Sequence, residues 1–197
     1  MTENQKLTVE LMEEAGYESA MKGLSLSYYK GDISVHEHFT QRFERMERLT
    51  PELNRKAIDE CNKAHSKVLR QVHVWFLIRM PRNFWSQFDT YKVGTVAQSA
   101  STMHTLNKRL QTADDFTDNT KPEVISLLNS LIESGAGIEE IKDNLPEGFL
   151  QYRVVDFNYE IIQNIVTQRK KHRLKGAWLH FIYEIKKQIA HPELIIW

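Results

Sequence analysis

The sequence predicts one layered domain of the α/β or α+β class over residues 1–197, with a central sheet flanked by helices. Two observations carry that expectation. Residues 72–78 (VHVWFLI) and 150–157 are rich in β-branched and aromatic residues, as strands are. Residues 122–133 and the stretch from Asn158 to about Lys171 instead repeat their apolar residues at helical spacing.

Taken in order, residues 7–12 (LTVELM) alternate as a strand, and Glu13 to Gly16 supply a break. Residues 17–29 read as a helix weakened by Gly23. Helical spacing resumes from Ser34 to about Arg48, and Thr50-Pro51 marks the start of a helix to about Leu69. Pro81 ends the strand that begins at Val72, and Asn83 to Thr90 form a helix. An irregular stretch begins at Val93-Gly94-Thr95, and residues 111–121 form a polar connection. The 122–133 helix is broken by Gly135-Ala136-Gly137 before a short helix at 138–143. Asn158 is placed to cap the next helix, and a last one covers roughly 176–189.

Composition narrows the function classes. Lys plus Arg number 26 and Asp plus Glu 26, so no bulk positive field argues for general nucleic-acid binding. Cys61 is the only cysteine, which excludes an intrachain disulfide and points to a reducing compartment. Residues 1–20 are polar and acidic, and no apolar run reaches membrane-span length, so a cytoplasmic protein without a membrane partner is expected. There is no phosphate-cradling glycine loop, GxGxxG, CxxC or HExxH, and the scattered histidines define no metal site.

Two segments carry a resemblance. In residues 142–173, Lys142 stands four before Pro146 of Leu145-Pro146, Asn158 twelve after it, and Asn164 and Arg169 six and eleven after Asn158. In residues 65–104, the strand HVWFLIRMP is preceded by His65, and Gln87 follows Pro81 by six. The N-terminal VELMEEAG, with a helix ending LSLSYY, extends the pattern. Together these resemble the flavin-dependent thymidylate synthases. The departure lies in that family's RHRxxS signature, where this chain reads Thr90-Tyr91-Lys92-Val93-Gly94-Thr95. The next stretch keeps hydroxyls at Ser99, Ser101 and Thr102 without an acid or arginine, and Glu160 occupies a usual arginine position.

The resemblance implies a dUMP-like pyrimidine deoxynucleotide bound beside FAD, with NADPH and methylenetetrahydrofolate as co-substrates and one-carbon transfer to carbon 5 of the base. It implies Arg169 at the base as the catalytic group, with Gln87, Lys92, Ser99, Ser101 and Lys142 binding the nucleotide. It implies His65, Tyr91, Asn158 and Asn164 at the flavin, and a homotetramer with sites at subunit interfaces. Two other outcomes remain open: a diverged base-modifying enzyme, and a nucleotide-binding or sequestering protein that has lost catalysis.

Each residue also has a plainer reading. Arg169 belongs to the basic run Arg169-Lys170-Lys171-His172-Arg173, Lys142 lies on a charged helix, and Asn158 serves as an N-cap. Asn164 sits among isoleucines and needs a hydrogen-bond partner if buried. Ser99, Ser101 and Thr102 suit a turn. Trp75, Phe76, Phe84, Trp85 and Phe88 suit a core or a subunit interface.

Overall fold

Four strands form one antiparallel sheet in the order β1-β2-β4-β3: β1 (Thr8–Ala15), β2 (His73–Pro81), β3 (Thr95–Ser99) and β4 (Leu150–Asn158). The computed structural model describes residues 6–42, 65–173 and 175–197, with the backbone alone at 65 and 66. The expected helix start at Thr50-Pro51 and most of the 51–69 helix lie outside the described residues. The end of that segment, His65–Arg70, is a 3-10 helix.

β2 is central and shows why the sheet has an inside. Its alternate residues Val74, Phe76, Ile78 and Met80 are fully buried, while His73, Trp75, Leu77 and Arg79 between them are half-buried. Helices α1 (Tyr17–Ser25), α3 (Arg82–Phe88), α7 (Tyr159–Arg169) and α8 (Lys175–Gln188) contribute to the core formed with that buried face. Residues 35–42, the last described before residue 65, are helical (α2). The Phe157 ring of β4 meets Phe88 of α3 at 6.1 Å and Phe181 of α8 at 6.3 Å between centroids. Burying rings of this size contributes about 1.5–3 kcal/mol each.

Four further segments complete the elements that bear on the site. They are α4 (Thr102–Thr105), a 3-10 turn at Ala113–Asp115, α5 (Pro122–Glu133) and α6 (Ile138–Asp143). Leu106, Phe116, Leu128, Ile141 and Leu145 form a second, smaller core there. It is joined to the sheet by the Phe116–Phe149 bridge and by Arg82, whose Nη1 donates to the Leu145 carbonyl at 2.7 Å. The Asp115 carboxylate closes the preceding loop, accepting from both Arg109 Nη atoms (2.8 and 2.6 Å) and the Thr112 N–H (2.8 Å). Hydrogen bonding to Arg109 holds the Asp115 carboxyl below the usual range, against the opposing effect of burial.

Two expectations are corrected. β1 does not break at Glu13 but runs to Ala15, through an irregularity between Leu11 and Glu13. Glu14 is tied down: its Oε1 accepts from the Tyr159 hydroxyl at 2.7 Å and its Oε2 from the Ala190 N–H at 2.8 Å. Burial, and then Glu14, push that phenol well above its usual range. The stretch after Gly94, expected to be irregular, is the edge strand β3, bonded to β4 over Thr95–Ser99. The helices at 122–133 and 138–143 stand where the sequence puts them.

Gly16 turns the chain from β1 into α1 at φ +94°, and a Cβ there would sit 2.1 Å from the Gln71 carbonyl oxygen. Gly16→Ala is therefore expected to destabilise by more than the roughly 1–2 kcal/mol of the left-handed backbone alone, read as a lowered urea midpoint. The Asp115 carboxylate predicts an acid limb. Its contribution is present above the unfolded value of about 3.9 and is lost as pH falls through the lower folded value. Asp115→Asn is expected to lower stability near neutrality, and the wild-type advantage should vanish on acidification; an advantage constant from pH 6 to pH 3 would contradict this.

Candidate functional site

Pro81 lacks an N–H and ends β2, and α3 follows at once. The first turns of α3 are anchored by backbone bonds from Arg82 N–H to the Phe149 carbonyl and from Asn83 N–H to the Glu147 carbonyl. α3 sends Phe84, Trp85 and Phe88 inward and leaves Gln87 half-buried at the side. A 3-10 turn, Asp89–Tyr91, then brings Tyr91 in to 7% exposure. α7 starts at Asn158, whose Oδ1 accepts from the Ile161 N–H at 3.1 Å, and it delivers Arg169 in its last turn.

These elements converge on one polar group. Gln87 Oε1 accepts from Trp178 Nε1 at 2.9 Å and from Arg169 Nη1 at 3.2 Å. Arg169 Nε donates to the Tyr91 hydroxyl at 2.9 Å, and that hydroxyl donates to Gln168 Oε1 at 3.0 Å. The guanidinium lies 4.7 Å from the Trp178 ring centroid and 5.5 Å from that of Tyr91, within cation–π reach. Among the described residues every one of these partners is neutral, and no carboxylate cancels the charge of Arg169. A half-buried guanidinium held by neutral groups suits an acceptor-rich, partly anionic ligand such as an imide.

The other predicted site residues fall elsewhere. Lys92 is exposed beside Tyr91. Ser99 ends β3 opposite Arg153, and Ser101 precedes α4. Lys142 Nζ lies 3.3 Å from Met103 Sδ, so Ser101 and Lys142 flank the same short helix. The length of β3, about 13 Å at 3.3 Å per residue, separates this second group from Tyr91. Asn158 is buried and acts as the cap. Asn164 is exposed, not enclosed by the isoleucines around it, and needs no internal partner. The backbone of His65 begins a 3-10 helix, and its side chain lies outside the described residues. Glu160, at the usual arginine position, accepts from Arg70 Nε at 3.0 Å. Phe76, Phe84, Trp85 and Phe88 are core residues, and Trp75 is half-buried.

Sequence reasoning missed Trp178 and Gln168. Gln87 also lines a cleft of about 650 Å³ between α3, residues 117–121 and the start of α8. Among the described residues no three His, Cys, Asp or Glu side chains group to hold a metal ion, and no helix is long and apolar enough to cross a membrane.

The fold is that of thymidylate synthase X structures. One from Helicobacter pylori, with FAD and dUMP, superposes with a TM-score of 0.71 at 15% identity, covering 96% of this chain and 97% of that one. A second, the flavin-dependent thymidylate synthase ThyX of the same organism complexed with FAD and dUMP, gives 0.72 at 14% identity over 95% and 97%. No protein-family model and no curated protein matches the sequence.

The hydrogen bonds of the Arg169 group make a structural prediction. Tyr91→Phe removes the acceptor of Arg169 Nε and keeps the ring, so a loss of about 1 kcal/mol in chemical denaturation is expected. Trp178→Phe keeps a ring but drops the bond to Gln87, and the two variants should be non-additive because they share Arg169.

Proposed function

We propose that the chain binds a dUMP-like pyrimidine deoxynucleotide, with the base read by Arg169 and Gln87, and uses FAD in one-carbon transfer to carbon 5. The observation that carries this reading is Arg169. It occupies the position that the sequence register assigns to the base, held by Gln87, Tyr91 and Trp178 with no carboxylate partner. The fold shared with two proteins solved with FAD and dUMP supports it.

Arg169 would donate to an imide oxygen and stabilise negative charge as it develops on the ring, and Gln87 would fix the orientation of the base. Lys92 and Lys142 are the cations that would reach phosphate. Because Ser101 and Lys142 lie about a strand length from Tyr91, a second copy of the chain, in a homotetramer, would supply that half of the site. Bound FAD would supply hydride chemistry, with NADPH as its reductant and methylenetetrahydrofolate as the one-carbon donor. The fit to FAD is narrower than the fit to the base. Of residues 90–95 only Lys92 is cationic, the Thr90 hydroxyl donates to the Gln87 carbonyl, and Glu160 is engaged by Arg70.

That same observation favours one second reading, nucleotide binding without flavin chemistry. Absorption spectroscopy with FAD, calorimetry with dUMP and an NADPH oxidation assay separate the two. Saturable FAD binding with dUMP-stimulated NADPH oxidation supports the enzyme. Binding of dUMP without FAD supports the second reading, and binding of neither ligand sinks both. Arg169→Ala is expected to weaken dUMP binding by about tenfold or more, with Arg169→Lys recovering part of it.

A further inference from the structure

The two edges of the sheet are guarded unequally. Along β1 the outer edge is closed by α8. There the Leu11 N–H donates to Gln188 Oε1 at 2.9 Å, Gln188 Nε2 donates to the Val9 carbonyl at 2.8 Å, and His180 Nε2 lies 3.0 Å from the Leu7 carbonyl oxygen. β1 also carries Glu10, Glu13 and Glu14. β3 has neither device. Its sequence, TVAQS, holds no charge and no proline, the usual guards of a free edge. Val96, Ala97, Gln98 and Ser99 are all exposed, and among the described residues no side chain bonds their backbone.

Which backbone groups of β3 face outward follows from its pairing. The Ala100 N–H donates to the Tyr152 carbonyl at 2.9 Å, in line with the β3–β4 register. Antiparallel ladders alternate, so Val96 and Gln98 turn their backbone groups towards β4, and Thr95, Ala97 and Ser99 turn theirs away. The Ala97 and Ser99 N–H groups have no partner among the described residues. Val93, 90% exposed, and Val96, 66% exposed, are the two barest large apolar side chains described. Unpaired edge groups and bare apolar side chains thus coincide in one short segment.

We infer that the outer edge of β3 pairs antiparallel with β3 of a second copy of this chain, about a two-fold axis through the pair of Ala97 residues. A two-fold interface needs a self-complementary surface, and this strand supplies one. Thr95 meets Ser99 of the second copy, Ala97 meets its counterpart, and no like charges oppose each other along the pairing. On the open face of the sheet the two Val96 side chains become diagonal neighbours at about 7–8 Å, each shielding the other. The homotetramer proposed above specifies neither this edge nor this register. One consequence rests on the nucleotide reading. The same register sets Val93 opposite Ser101 of the second copy, roughly 5 Å away, and so brings the Ser101–Lys142 end of one chain to Lys92 of the other.

Sedimentation equilibrium of the full chain is the test, and the wild type is expected to self-associate. Ala97→Pro removes an outward N–H without touching the ladder to β4, and it should weaken that association by about tenfold or more. Val96→Lys, at an exposed position, sets two cations across the axis and should act likewise, even if the proline variant fails to fold. In hydrogen exchange, the Ala97 and Ser99 amides should be protected in the wild type and exposed in Val96→Lys. A wild type that stays monomeric up to about 100 μM would overturn the inference. So would fast exchange at both amides in an associated wild type, or a folded Val96→Lys that associates within about twofold of it. An associated chain that binds no dUMP would count against the nucleotide reading and leave this one standing.

Discussion

The β2–β4 ladder ends at the pair Pro81–Leu150, and α3 begins at the very next residue. Most of the described structure depends on that abrupt change. A proline there can accept but not donate, so pairing along β2 stops and the chain turns into a helix. The position of α3 is then over-determined. Arg82 and Asn83 donate backbone bonds to the chain before β4, and the Trp85 indole donates to the Gln151 carbonyl at 3.0 Å. Arg153, paired with Asp89 at 2.8 Å, lies 4.5 Å from the Trp85 ring centroid and clamps the far end. With both ends fixed, Gln87 and Tyr91 have little freedom over where they meet α7 and α8.

Arginines among the described residues divide by their partners: some meet carboxylates, whereas Arg79 and Arg169 are held by neutral acceptors and rings. Arg109, Arg153 and Arg70 are paired with Asp115, Asp89 and Glu160. Each of those pairs joins segments that have to stay together. Arg169 is held as firmly, by two hydrogen bonds and two rings, yet its charge is not cancelled. Holding a cation with neutral acceptors costs desolvation that a carboxylate would offset. A purely structural role would be met more cheaply by an acid at position 87 or 91. The glutamine and the tyrosine leave the Arg169 charge without a carboxylate among the described residues.

How much of this was legible in the sequence follows from how local each signal is. Helix α5 carries proline at its first position and glycines after its end, so its bounds can be read from residues within the element. β3 has almost every residue exposed, at the sheet edge, and its pattern TVAQS gives no alternation to detect. β1 continues past two glutamates because Tyr159 and Ala190, far along the chain, bond to the second of them. The site divides the same way. Gln87, Tyr91 and Arg169 stood out only through the family resemblance, whereas Trp178 entered only when α8 was packed across α3.

The overall charge balance conceals a local imbalance with the same logic. Twenty-six basic and twenty-six acidic residues average to zero, yet the cleft beside Gln87 gathers Lys121, Arg173 and Lys175 with one already neutralised acid. Gln87 lines that cleft and, through Oε1, also accepts from the Arg169 guanidinium. Net charge therefore says little about where positive charge collects, which is set by the side chains that the fold brings to one wall.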